Sequence, residues 1–151
     1  GGRVRLQPVG DGGQAMKRAL ILCTGNSCRS QLAEALINAR LAGEWRAESA
    51  GTAPTGAVHP LALAALREIG IEHAGRSKHA DEFRGQSFDL VVTVCDAAAE
   101  ACPVWPGAAR KVHLPFPDPA KAVGTEEDVM AAFRRVRDAI AEQVVAVVAA
   151  A

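Results

Sequence analysis

The chain has 151 residues, enough for one domain with a substantial core. Hydrophobic residues make up 49% and charged residues 23%, the balance of a globular protein, with 17 basic residues set against 17 acidic ones. A formal net charge of zero gives no long-range pull toward nucleic acid or an anionic membrane, and no apolar run is long enough to span a bilayer, so any anion recognition must be local.

Gly1 to Ala15 is Gly-rich, lacks periodicity and holds no apolar core of signal-peptide length. Met16-Lys17-Arg18 reads as a natural beginning, so 1–15 is expected as a flexible extension or appended remnant and 16–151 as a single domain. With no export signal the expected compartment is the reducing cytoplasm. There, four cysteines suit catalysis, redox work or metal binding better than a structural disulfide framework.

Residues 18–22 read as a short buried strand, followed by Cys23-Thr24-Gly25-Asn26-Ser27-Cys28-Arg29-Ser30 and then a helix to about Leu41. In that helix Leu32, Leu36 and Ala39 recur on one face, with Glu34 and Arg40 left to others. The strand–loop–helix context sets a cysteine where the loop opens and an arginine where the helix opens. Loop amides and a helix N-terminus favour negative charge. Arg29 adds a planar fork able to hold two oxygens of a tetrahedral oxyanion. The same field favours the thiolate of Cys23, which Ser30 can hydrogen-bond. Gly25 permits close backbone approach, and Asn26 tolerates a left-handed conformation.

A second strand is expected from Arg46 to Ser49, closed by Ala50-Gly51. A turn-rich patch over 52–56 leads to a helix beginning near Pro60, with Leu63, Leu66 and Ile69 as its stripe and Gly70 as its stop. Phe88 to Val94 is the strongest strand signal, suited to a sheet buried on both faces, and Cys95 lies at its end. Cys102 follows after small residues. Its spacing from Cys95 is not the short pair that metal sites favour, and no helical His pair accompanies it. A short strand through Lys111–Leu114 leads to a Pro-x-Pro loop around Asp118. Asp118 is either an ordinary turn residue or, if desolvated beside a bound anion, a general acid. Thr125 and Asp128 form a capping box for a last helix striped by Val129, Phe133, Val136, Ile140, Val144 and Val147. The Ala/Val-rich end of that helix is read as core packing rather than a self-association patch.

Alternating strands and helices predict a three-layer α/β domain with a central four-stranded parallel sheet. In such sheets ligands gather beyond the carboxyl ends of the strands, where Cys23, Cys95 and Asp118 all fall.

Cys23 through Gln31, Ser49-Ala50-Gly51, Val94-Cys95, Cys102-Pro103, Asp118-Pro119-Ala120 and Phe133 through Asp138 together resemble the thioredoxin-coupled arsenate reductases, which share the low-molecular-weight protein tyrosine phosphatase fold. The resemblance implies that Cys23 attacks arsenate while Arg29 and the amides of Thr24, Gly25, Asn26, Ser27 and Cys28 hold its oxygens, and Asp118 protonates the leaving hydroxide. Phosphate and sulfate are then competing oxyanions. Cys95 next attacks Cys23 and arsenite departs; Cys102 attacks Cys95; reduced thioredoxin clears the final disulfide. Asn26 and Ser49 brace the loop, and Cys28 is a supporting residue. No bound cofactor or metal is implied. Some relatives hold potassium through residues matching Asn26, Glu34 and Ser49 plus an acid. In this chain Arg76-Ser77-Lys78-His79 places a cation there, so Lys78 is expected to stand in for the ion and abolish potassium dependence.

Two rivals share parts of this pattern. A tyrosine phosphatase would use Cys23, Arg29 and Asp118 without a relay, but Gln31 replaces the usual proline, Ala120-Lys121 replace the usual aromatics, and the Cys95/Cys102 pair is then idle. A thiol sensor binding arsenite or zinc, with His59 or His113 as ligands, leaves Arg29 and Asp118 unexplained.

Overall fold

The computed structural model describes residues 16–96, 103–107 and 110–151. Cys102 and the expected 1–15 extension lie outside the described residues. The element order is β1 (Lys17–Cys23), α1 (Arg29–Arg40), β2 (Trp45–Gly51), α2 (Pro60–Arg67), β3 (Leu90–Thr93), β4 (Lys111–His113) and α3 (Glu126–Ala150). Single 3₁₀ turns occupy Ala80–Phe83 and Pro119–Lys121.

The four strands form one parallel sheet in the order β2-β1-β3-β4. β1 is central and apolar, so it is buried from Ala19 onward and carries Cys23 to the carboxyl edge. The alternation of side chains sends Ala19, Ile21 and Cys23 to one face and Leu20 and Leu22 to the other. The first face meets all three helices through Leu32, Leu36, Leu66, Phe133, Ile140 and Val144. Over the second face, among the described residues, Ala80, Phe83, Phe88 and Trp105 supply the cover. No helix among the described residues is long and apolar enough to cross a membrane.

Three details differ from the sequence reading. Ala39 is exposed and Glu34 buried, because α1 is enclosed on every side from Arg29 to Ile37. The buried stripe of α3 ends on Val148 rather than Val147. β3 is shorter than the apolar run, although Phe88 and Val94 remain buried beyond its ends.

Helix ends follow local chemistry. Gly70, at φ 82°, lets α2 terminate with Gly70 N–H donating to Arg67 C=O and Ile71 N–H to Leu66 C=O. The Thr125/Asp128 capping box starts α3. Arg137 of α3 then ties down α2, donating to the Ala65 carbonyl at 2.9 Å and pairing with Glu68 at 2.9 Å.

Candidate active site

The loop joining β1 to α1 is held from outside by its carbonyls. Ala53 N–H donates to Thr24 C=O, Thr55 N–H to Gly25 C=O, and His59 N–H to Ser27 C=O, each at 3.0 Å. Gln31 Nε2 donates to the Asn26 carbonyl at 3.2 Å. A peptide group is planar and trans, so outward carbonyls turn the amides of Gly25, Asn26, Ser27 and Cys28 inward. Asn26 makes this turn possible at φ 48°. Gly51, at the end of β2, touches the loop so closely that a Cβ there would overlap the Thr24 carbonyl. α1 begins at the same place with no side-chain cap on Cys28, leaving its first amides for a bound anion.

These inward amides surround Cys23, which is 1% exposed at the floor of a cavity of about 280 Å³. The Asn26 amide donates to Cys23 Sγ at 3.3 Å, and Ser30 Oγ lies 2.9 Å from the sulfur. Arg29 is buried against the cavity wall, and its Nη1 is fixed by a 3.1 Å bond to the Phe116 carbonyl. Asp118 overhangs the mouth: Oδ2 is 3.8 Å from Arg29 Nη2, while Oδ1 accepts the Ala120 amide at 3.0 Å. Asp118 is therefore both a turn-former and a cavity residue. Cys28 also lines the cavity, but burial, reinforced by the charge of Asp118, pushes its thiol up to about 12. It stays a neutral thiol at physiological pH and contributes its backbone.

A buried polar network braces the loop from behind. Asn26 Nδ2 donates to Ser30 Oγ at 2.8 Å and to Ser49 Oγ at 3.0 Å. Asn26 Oδ1 accepts from Gln31 Nε2 at 3.0 Å and from the Lys78 amide at 2.9 Å. Ser49 Oγ donates to Glu34 Oε1 at 2.6 Å, and Lys78 Nζ stands 3.6 Å from the same oxygen. His73 Nε2 closes the network on Gln31 Oε1 at 2.8 Å, and burial pushes this imidazole down against the pull of Glu34.

The structure thus brings Cys23, Asn26, Ser27, Cys28, Arg29 and Asp118 to one cavity, with Ser30 and Ser49 directly behind it. Thr24 belongs to the loop rim through its carbonyl. Cys95, two residues beyond β3, is buried in the same core cluster as Cys23 and is disulfide-bonded, whereas Cys23 and Cys28 are free thiols. Sequence reasoning missed the working positions of Gln31, Gly51, His73 and the Phe116 carbonyl. Gln31 and Gly51 were visible only as motif letters, and the other two reach the loop from distant segments.

Comparisons with known proteins agree with this geometry. The family model described as low molecular weight phosphotyrosine protein phosphatase matches residues 18–150. The chain is 48% identical over 124 residues to an arsenate reductase of Halalkalibacterium halodurans, covering 82% of this chain and 88% of that protein. It is 45% identical over 120 residues to an arsenate reductase of Bacillus subtilis, covering 79% and 86%. A solved arsenate reductase in the phosphate binding state superposes with a TM-score of 0.76 at 29% identity, over 89% of this chain and 98% of that one. The chain belongs to the low molecular weight phosphotyrosine protein phosphatase family, and within it groups with the arsenate reductases.

Proposed function

We propose that the protein is an enzyme that reduces arsenate to arsenite through nucleophilic attack by Cys23 and a thiol–disulfide relay through Cys95 and Cys102. The observation that carries the reading is the free Cys23 thiol beneath inward amides and Arg29, with a disulfide-bonded Cys95 at the end of the adjacent strand. β1 and β3 pair with Leu22 opposite Thr93, so Cys95 lies one residue beyond the position facing Cys23.

In the first step the Cys23 thiolate displaces one oxygen of arsenate, with Asp118 delivering the proton to the departing hydroxide. The amides and Arg29 hold the remaining oxygens. The Cys95 thiolate then attacks Cys23 sulfur. A Cys23–Cys95 bond forms, the sulfur–arsenic electron pair passes to arsenic, and arsenite leaves. Cys102 attacks Cys95 and frees the Cys23 thiolate, leaving a Cys95–Cys102 disulfide for a dithiol reductant of the thioredoxin class. A reducing cytoplasm is the compartment that suits this cycle. Phosphate and sulfate compete for the cavity as tetrahedral anions of the same shape.

Lys78 supports a further proposal, that the enzyme works without potassium. Its ammonium stands beside the Glu34–Ser49–Asn26 chain and supplies a fixed positive charge behind the loop.

The test is arsenite formation with thioredoxin, thioredoxin reductase and NADPH. Wild type turns over, equally in sodium and potassium salts, and Cys95→Ser stops after one covalent step. A phosphatase working without the relay would instead keep full turnover of an aryl phosphate in Cys95→Ser and produce no arsenite.

A further inference from the structure

Resting on the reading that the Cys23 cavity holds a tetrahedral oxyanion, we infer that His59 is an oxyanion-binding residue whose Nε2–H donates to the bound anion. The residue lines the cavity together with Cys23, Arg29 and Asp118. Its backbone N–H is bonded to the Ser27 carbonyl at 3.0 Å, so the residue is fixed to the loop itself.

The ring's orientation follows from its other contacts. His59 is the N-cap of α2, and its Nδ1 accepts the Leu61 amide at 3.1 Å. A backbone amide can only donate, so Nδ1 must be the bare nitrogen and the neutral ring carries its proton on Nε2. One side of the ring packs on Phe133, with centroids 4.7 Å apart. With Nδ1 committed to the Leu61 amide and one side of the ring on Phe133, Nε2–H is the one polar group of the ring left to offer the cavity. That donor has no protein acceptor among the described residues. The cap thus selects the tautomer, Phe133 restrains the plane, and the free donor belongs to a residue that walls an anion cavity. A neutral donor bonding a charged oxygen at a partly buried site is worth roughly tenfold or more in affinity.

Two substitutions separate the cap from the donor. In His59→Asn the side-chain oxygen takes the place of Nδ1 and preserves the cap, while nothing replaces Nε2. In His59→Gln the amide nitrogen reaches the position of Nε2, while the cap is lost. The probe is inorganic phosphate, titrated calorimetrically into the whole reduced chain, with thermal unfolding measured in parallel. His59→Asn should unfold near the wild-type temperature and bind phosphate roughly tenfold more weakly. His59→Gln should unfold earlier but bind within about threefold of wild type. With arsenate turnover, the Asn variant should raise KM and leave kcat nearly unchanged. Wild-type affinity in His59→Asn overturns the inference, as does weakening in both variants that follows their loss of stability. If the unaltered protein fails to bind phosphate, the oxyanion reading falls first and this inference falls with it.

Discussion

Asn26→Ala isolates the contribution of the network behind the loop. The wild-type side chain is fully buried, donates to Ser30 and Ser49, and accepts from Gln31 and from the Lys78 amide. Each such bond contributes about 1 kcal/mol net, more where a buried partner is left unpaired, so their loss costs roughly 4 kcal/mol. Alanine must also adopt the φ of 48° that asparagine tolerates, which adds about 1 kcal/mol. A chain of this size loses roughly 2–4 °C per kcal/mol, so the melting temperature should fall by about 10–20 °C. Thermal unfolding followed by circular dichroism measures it, with phosphate affinity recorded on the surviving folded fraction. A drop of less than about 2 °C would show that the loop keeps its shape without this residue, and the bracing argument would be wrong.

Other perturbations test separate parts of the molecule. Cys28 has a folded pKa raised to about 12 from an ordinary value of 9.0, so its stability contribution is complete below pH 9 and is lost as pH rises toward 12. Unfolding in urea should therefore show stability falling by up to ~1.4 kcal/mol per pH unit above pH 9, a slope that Cys28→Ala should reduce. Near pH 7.5, iodoacetamide should label Cys23 and spare Cys28, as peptide mass mapping would reveal. Gly51→Ala forces a Cβ against the Thr24 carbonyl and should weaken phosphate binding at least tenfold, read by calorimetry. Trp105 is 6% exposed and packs edge-on to Phe88 at 6.3 Å, so Trp105→Ala should cost about 3–5 kcal/mol in urea unfolding.

The β1–α1 loop was legible in sequence because its determinants are local. An apolar strand, a residue suited to positive φ and a helix start lie within a few positions of one another, and the Thr125/Asp128 cap was equally readable. Glu34 was misplaced for the opposite reason. Its partners Ser49 and Lys78 arrive from β2 and from the chain after α2, and a carboxylate in a helix gives no local sign of being covered. The slip from Val147 to Val148 reflects a helix of 25 residues, over which small errors in period accumulate into a change of face. His59 entered the sequence reading only as a ligand of the thiol-sensor alternative, because the proline after it signals only a helix start and the Ser27 carbonyl that fixes it lies far back in the chain.

The order of the strands has a consequence for which molecule delivers electrons first. β1 and β3 are direct neighbours, and Val94 N–H bonds to the Leu22 carbonyl at 2.9 Å, immediately before Cys95 and Cys23 respectively. Under the proposed relay, two sulfurs tethered this way react as parts of one body. Well-oriented tethered groups reach effective concentrations on the order of 10⁵ M, beyond anything a dissolved small thiol attains. If the relay runs as proposed, the backbone pairing of two strands gives Cys95 the advantage over outside thiols at the arsenic step and leaves to them the recharging of the spent protein.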